Sequence, residues 1–223
     1  MLILKLVLAP ALVVGATLAS RRWGWRAGGI ITALPVVAGP ILLIITLEHG
    51  EAFGARASRG ALLGVVALSV FCVVFARTQR LGWVWALGFG WLAYAMIAIP
   101  ASWCDAPPLA GLAVALASPA VARAVLGAGV IPAHRAATSP SWDIWARGAS
   151  AALLVFTITS AADALGSAMS GVLTPFPVAA SVLAAFTLAR DGPAAADSMI
   201  RGFVSALPAF AALLFAAAFA LAP

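Results

Sequence analysis

The sequence contains a series of apolar runs, and few charged residues lie between them. Each run is roughly 20 residues long, which as an α-helix is enough to cross the roughly 30 Å of hydrocarbon in a lipid bilayer. Of the 223 residues, 64% are hydrophobic and only 9% are charged, whereas a soluble domain has about 25% charged residues. These features predict an all-α, polytopic membrane protein surrounded by membrane lipid.

We predict about eight transmembrane spans in a single transmembrane domain over residues 1–223. The fifth span is the weakest, because Pro119 and Arg123 lie inside it. The predicted spans cover residues 2–20, 27–47, 58–76, 82–102, 108–128, 147–165, 168–189 and 200–221.

The basic residues divide unequally between the two sides that these spans define. Three of the 13 Lys and Arg residues, Lys5, Arg56 and Arg59, fall on one side, and all the others fall on the opposite side. The positive-inside rule assigns the larger set to the cytoplasm. We therefore expect a bacterial inner membrane protein with both termini on the periplasmic or extracellular face. The bases occur singly or in pairs, so the net charge of +6 does not indicate a nucleic-acid partner.

One constant shift in residue number, the shift that carries Gly24 onto Gly166, aligns the two halves of the chain without a gap. We call this shift the repeat offset. The repeat cores are 1–76 and 143–221, linked by helices over 82–128, so that spans 1–3 correspond to spans 6–8. An odd number of helices separates equivalent spans, which makes the repeat inverted if span 5 crosses fully and parallel otherwise. The most informative matches place Gly24 on Gly166, Gly29 on Gly171, Pro35 on Pro177, Arg59 on Arg201 and Gly60 on Gly202.

Three short strings in the first half resemble the small GlpM-like membrane proteins. They are Gly-Ile-Ile-Thr-Ala-Leu-Pro over 29–35, Glu-His-Gly over 48–50 and Ser-Arg-Gly over 58–60. In the second half, Thr-Pro-Phe-Pro over 174–177 is the closer match to the Pro-Phe-Pro-type segment of that family. The resemblance covers the two repeat cores but not spans 4 and 5. It implies an association with glycerol metabolism and exopolysaccharide production and supplies no catalytic residues.

Prolines interrupt the second and seventh spans at related places. A proline inside a helix removes one N–H donor and frees the carbonyl four residues earlier, and in hydrocarbon that carbonyl needs another partner. Interrupted helices at matching positions of two repeats indicate a transporter site, although two locally repaired kinks would give the same pattern. The predicted substrate-binding residues are Thr32, Pro35, Pro40, Thr174, Pro175 and Pro177.

Two matched arginines are candidates for gating or anion binding. Arg59 and Arg201 each open a predicted helix, where a cation opposes the positive N-terminal end of the helix dipole. Arg201 has Asp197 four residues earlier, a spacing that favours a helical ion pair. Snorkelling to lipid phosphates is the alternative explanation for both arginines.

Two carboxylates are candidates for ion or proton coupling. Asp163 is the one acid predicted to lie within a span, and Glu48 lies in the turn after span 2. An intramembrane carboxylate is a functional candidate by default. We expect Asp191, also in a turn, to face solvent.

Small residues predict where helices approach closely. Gly60 and Gly64 form a small-xxx-small pattern, and Gly202 and Ala206 mirror it in the second half. Such residues let two helix backbones come close together. We therefore expect spans 3 and 8 to pack tightly.

The interrupted helices favour a small transporter, either a secondary transporter or a flippase, for a small-molecule or lipid-linked solute. The two arginines favour an anionic solute over a cationic one. A narrow channel with pseudo-two-fold symmetry and a structural or regulatory subunit of an envelope-synthesis complex are the alternatives. The sequence shows no paired nucleophile and base, metal-ligand cluster or phosphate loop. We therefore expect no enzyme activity, no metal and no cofactor, and the composition is compatible with a homodimer.

Overall fold

The computed structural model describes residues 2–33, 51–101, 103, 107–128, 142–165 and 176–220. Within these ranges the chain is helical, without strands, which confirms the all-α class. One turn of 3-10 helix, Gln79–Leu81, joins the third helix to the fourth. The α-helices are α1 (Leu2–Trp23), α2 (Trp25–Ala33), α3 (Glu51–Thr78), α4 (Trp83–Ala101), α5 (Pro108–Leu126), α6 (Trp142–Leu165), α7 (Val178–Asp191) and α8 (Pro193–Ala220).

Four helices in the described part of the chain are long and apolar enough to cross a membrane. They include α5, which continues through Pro119. The apolar stretches are Gly60–Leu81, Trp83–Ala101, Leu109–Leu126 and Pro193–Ala216. This finding supports the predicted membrane class.

The third and eighth helices begin earlier than the sequence predicts. Hydrophobicity alone places their first residues at 58 and 200, but α3 begins at Glu51 and α8 at Pro193. Proline suits the first position of a helix, because its missing N–H would have no partner there. Arg59 and Arg201 therefore lie about two turns inside their helices, and the prediction that they open them is wrong.

Helices α3 and α8 form the inner pair of the bundle. They pack on each other, α4 and α5 pack on α3, and α2, α5 and α7 pack on α8. About half of each apolar stretch is buried in α3 and α8, compared with 22% in α4 and α5. The outer helices thus carry most of the apolar surface that faces the surroundings.

Helices α1 and α6 pack side by side in opposite directions. Near the end of α1, the Arg21 guanidinium contacts the carboxylate of Asp143 at the start of α6. One turn further into α6, the backbone at Gly148 lies beside Val14 in the middle of α1. Moving forward along α6 therefore means moving backward along α1.

Helices α3 and α8 are also antiparallel, and their shared contact with α5 shows it. Arg77, at the end of α3, donates to the carbonyl of Val125 over 2.7 Å. Arg201, in the first third of α8, donates to the carbonyl of Leu126 over 2.8 Å. The last turn of α5 therefore receives the end of one helix and the beginning of the other.

A reciprocal pair of glycines brings α2 and α8 into backbone contact. A Cβ atom built on Gly29 would overlap the carbonyl oxygen of Met199, and one built on Gly202 would overlap the carbonyl oxygen of Arg26. A Cβ at Gly60 would meet no described atom within 4 Å. Spans 3 and 8 do pack together, but the close approach that Gly202 permits is to α2.

These contacts place one end of each described helix at the same end of the bundle. We call it the Arg-rich end. It contains the last turns of α1, α3, α5 and α7 and the first turns of α2, α4, α6 and α8. Its described basic residues are Arg21, Arg22, Arg26, Arg77, Arg80, Arg123, Arg147, Arg190 and Arg201. The turns at this end use glycines with positive φ, namely Gly24, Gly82, Gly127 and Gly192.

Replacing Gly202 with Ala should push α2 and α8 apart and lower the stability of the protein. Forcing a methyl group into a closely packed contact costs about 1–3 kcal/mol. Gly15→Ala is the matched control, because a Cβ at Gly15 meets nothing within 4 Å. Thermal unfolding in detergent measures both, and equal melting temperatures for the two variants would contradict the close α2–α8 contact.

Candidate functional site

Of the predicted substrate-binding residues, the structure describes Thr32 and Pro177. Thr32 is buried in the last turn of α2 and its hydroxyl donates to the carbonyl of Gly28 over 2.7 Å, a bond within its own helix. Pro177 is buried and immediately precedes α7. It therefore does not interrupt the interior of that helix but marks its beginning. Pro35, Pro40, Thr174 and Pro175 lie outside the described residues.

Aromatic and hydroxyl groups of α4 surround the start of α7. Trp91 donates its indole N–H to the hydroxyl oxygen of Ser181 over 2.9 Å. The ring of Phe176 lies 5.4 Å from that of Trp91 and 5.6 Å from that of Tyr94, between ring centroids. The Tyr94 hydroxyl is buried and has no hydrogen-bond partner within the described part of the chain.

Sequence reasoning did not single out this polar group. Two signals in the sequence could have found it, since Trp91 is the one tryptophan away from the span ends and Tyr94 is the one tyrosine of the chain. A buried hydroxyl without a partner costs free energy in an apolar medium. The start of α7 therefore has an unfilled hydrogen-bonding capacity among the described residues.

The most highly charged group of side chains lies at the Arg-rich end and centres on Asp143. Its carboxylate is completely buried and accepts hydrogen bonds from Arg21 (2.9 Å), Arg147 (3.0 Å) and Arg190 (3.0 Å). These three arginines come from α1, α6 and α7. Asp191 belongs to the same group, with its Oδ2 atom 3.9 Å from Nη2 of Arg147. We call these five residues the Asp143 cluster.

Aromatic rings cover two of the guanidiniums in this cluster. The guanidinium carbon of Arg147 lies 5.2 Å from the centre of the Phe186 ring. That of Arg190 lies 4.8 Å from the centre of the Trp142 ring. Guanidinium groups are attracted to the faces of aromatic rings, most strongly where water is excluded. Both contacts help to hold positive charge in a partly apolar place.

The two carboxylates of the cluster titrate differently. Burial raises the pKa of Asp143, but the guanidiniums, Arg147 first, outweigh burial and hold that pKa below its usual value. Burial raises the pKa of Asp191, and Arg147 offsets this only in part, so that pKa lies above its usual value. The stabilisation from Asp143 is therefore present above about pH 4 and is lost only as the pH falls through its lower folded-state pKa.

The expectation that Asp191 faces solvent is wrong. Only 12% of its side chain is exposed, and the Oδ2 atom has no hydrogen-bond partner. The sequence assigns Asp191 to a turn, but it is the last residue of α7, and the packing of α7 against α6 and α8 covers it. No local sequence pattern predicts that Asp191 is buried.

The guanidinium of Arg201 is engaged at several points. Its Nε atom donates to Asp197 over 2.6 Å, as the four-residue spacing predicts. Its Nη1 and Nη2 atoms donate to the carbonyls of Gly127 and Leu126. A cation at the C-terminal end of a helix is favoured by the helix dipole, so Arg201 caps α5. A role of Arg201 in gating or anion binding stays a prediction.

The remaining predicted residues are described in less detail. Arg59 lies on α3 and Asp163 on α6, with side chains outside the described part. Glu48 lies outside the described residues altogether. Among the described side chains, no group of three His, Cys, Asp or Glu residues could hold a metal ion.

The fold and the charged cluster define an α-helical protein with a basic end, in which four described helices are long and apolar enough to cross a membrane. Residues 2–103, which include α1 to α4, match a family model described as Protein of unknown function (DUF3147). The match ends before α5 and covers less than half of the chain. No curated protein matched the chain in the comparison. No solved structure matched it either.

Replacing Asp143 with Asn should destabilise the protein strongly. Removing the charge leaves three clustered guanidiniums without their common acceptor, and breaking a buried ion pair costs about 3–5 kcal/mol. Asp197→Asn is the control, because that carboxylate is 20% exposed and exposed pairs contribute about 0–1 kcal/mol. Unfolding by detergent titration at pH 7 measures both variants, and a smaller effect for Asp143→Asn than for Asp197→Asn would contradict the central role of Asp143.

Proposed function

We propose that the chain is an eight-span membrane protein made of two inverted repeats, and that it transports a small-molecule or lipid-linked anionic solute. The helical segments support the repeat. The repeat offset carries Glu51–Thr78 of α3 onto Pro193–Ala220 of α8, and both segments are helical over this whole length.

The packing of related helices supports the inversion. Helix α1 packs antiparallel to α6, and α3 packs antiparallel to α8, so each helix meets its own counterpart running the other way. Two units related by a two-fold axis in the membrane plane would pack in this manner. The proposed duplication extends the resemblance to GlpM-like proteins over both halves, and the family match over 2–103 concerns the first half and α4.

The Arg-rich end supports the orientation that the positive-inside rule predicts. In a bacterial inner membrane this end would face the cytoplasm and both termini the periplasm. Exposed tryptophans at helix ends, such as Trp23, Trp83 and Trp142, suit the interfacial belt at the same level.

Cysteine labelling tests the inversion. In a variant without Cys72 and Cys104, Gly50→Cys and Gly192→Cys should react with a membrane-impermeant thiol reagent from opposite faces of the membrane. The repeat offset makes residues 50 and 192 counterparts, and inversion places counterparts on opposite sides. Gly24→Cys is the control, because it shares the Arg-rich end with residue 192. Labelling of residues 50 and 192 from one common face would refute the inverted repeat.

The start of α7 carries the proposal of a transport site. Helix α7 begins directly after Pro177, and the unpartnered hydroxyl of Tyr94 and the bonded pair of Trp91 and Ser181 lie around this start. Inside a membrane, backbone that is not helical is tolerated where it lines a cavity or packs against protein. A discontinuous helix with hydrogen-bonding side chains around its end is a typical solute site of secondary transporters.

The repeat offset also supports Asp163 and Glu48 as candidates for ion or proton coupling. The repeat offset relates Arg21 to Asp163 and Arg190 to Glu48, so two members of the Asp143 cluster have carboxylates as their sequence counterparts. Opposite charges at related positions of an inverted repeat would give the two mouths of the protein different charge. Such asymmetry would raise the local concentration of an anionic solute at the more basic mouth.

Transport by reconstituted protein tests this function. Proteoliposomes should take up an anionic solute, from a panel of inorganic phosphate, sugar phosphates and carboxylates, with saturable kinetics. Pro177→Ala and Tyr94→Phe should each reduce the initial rate by at least about tenfold, because one disrupts the start of α7 and the other removes the free hydroxyl. Pro10→Ala, which changes a proline inside α1, should leave the rate within about twofold.

The alternatives predict different outcomes. A channel would give unsaturable flux and currents in planar bilayers. A structural subunit would give no flux of any kind and would co-purify with a larger partner. Wild-type rates in both Pro177→Ala and Tyr94→Phe would refute the site at the start of α7.

A further inference from the structure

Arg147 is the most deeply buried member of the Asp143 cluster, with 2% of its side chain exposed. Within the described part of the chain it shares the Asp143 carboxylate with Arg21 and Arg190. A buried guanidinium is costly unless all of its donors are bonded.

Two buried atoms of the cluster have no hydrogen-bond partner among the described residues. One is Nη1 of Arg147, a donor on a side chain that is only 2% exposed, and the other is Oδ2 of Asp191, an acceptor. The two side chains are neighbours, with 3.9 Å between Nη2 of Arg147 and the same Oδ2 atom. An unpaired buried donor or acceptor costs about 1–3 kcal/mol, and more if it is charged. A ligand with both an anionic oxygen and a hydroxyl would satisfy both atoms.

The cluster is accessible through its outer members. Arg21 is 24% exposed and Arg190 is 28% exposed, and Trp142, which covers the Arg190 guanidinium, is 58% exposed. Exposed tryptophan and arginine at the ends of apolar helices mark the level of lipid headgroups. A phosphate group at that level can reach the partly exposed guanidinium of Arg190, which shares Asp143 with Arg147.

We propose that the Asp143 cluster binds a phosphate group that carries or adjoins a hydroxyl, either the headgroup of a phosphatidylglycerol-type lipid or free hydrogen phosphate. Phosphate oxygens accept from the guanidiniums of Arg147 and Arg190, whose planar forks match phosphate geometry. The ligand hydroxyl donates to Oδ2 of Asp191. This site is separate from the one at the start of α7, and it stands whether or not the chain transports a solute.

Binding to the purified full-length protein in detergent tests the proposal. Inorganic phosphate is titrated in one arm, and short-chain phosphatidylglycerol in another, with phosphatidylcholine as the zwitterionic comparison. The readouts are the shift in melting temperature and the fluorescence of tryptophan. Binding in the first arm identifies a free anion, and binding in the second identifies a lipid headgroup. Preference for phosphatidylglycerol over phosphatidylcholine is expected in the lipid arm.

Variants separate a binding role from a structural one. Arg190→Gln and Arg147→Lys should each raise the dissociation constant by at least about tenfold, the loss expected for one charge-assisted bond. Arg22→Gln should leave it within about twofold, because Arg22 is exposed on the same turn as Arg21 and is not part of the cluster. Arg190 is less buried than Arg147, so Arg190→Gln still tests binding if Arg147→Lys does not fold.

A comparison with sulfate tests the role of Asp191. Sulfate has the charge and shape of phosphate but no hydroxyl at neutral pH, so the wild-type protein should bind phosphate at least about tenfold more tightly. Asp191→Ala should abolish this preference. No binding in either arm would overturn the proposal. Equal losses in Arg190→Gln and Arg22→Gln would overturn it too, since they would indicate nonspecific attraction to a basic surface.

Discussion

A single buried carboxylate holds three helices together at the basic end of the bundle. Asp143 accepts one hydrogen bond each from arginines on α1, α6 and α7, and without it these guanidiniums would repel one another at close range. Charge that cannot enter hydrocarbon must collect at helix ends. In this protein the end of α1, the start of α6 and the end of α7 meet at Asp143.

The helices also associate by fitting closely together. Lipid tails are as apolar as leucine side chains, so there is little hydrophobic force between helices in a bilayer. Close packing must therefore hold the helices together, and Gly29 and Gly202 permit it because they let the backbones of α2 and α8 touch. Arg201 adds a polar link one residue earlier, where it caps α5. Helix α8 is thereby joined to α2 and α5, and together with α3 it forms the inner pair on which α2, α4, α5 and α7 pack.

The sequence predicts the existence of the helices well and their limits less well. Hydrophobicity ends where charged or polar residues begin, so it places the starts of α3 and α8 at 58 and 200, whereas the Ala-rich segments before them remain helical from Glu51 and Pro193. The Asp143 cluster could have been partly foreseen, because Asp143 and Arg147 are spaced as a helical ion pair. Arg21 and Arg190 lie 122 and 47 residues from Asp143, and no local pattern connects them.

The amino-acid sequence by itself determined that the chain is helical and that several of its segments are long and apolar enough to cross a membrane, because hydrophobicity and residue spacing are properties of the chain. The tertiary structure alone decided which charges are neighbours. It buried Asp191 beside Arg147, left the hydroxyl of Tyr94 without a partner, and turned Gly202 towards α2. These outcomes depend on which helix faces pack against each other, and that choice is made between segments far apart in the chain.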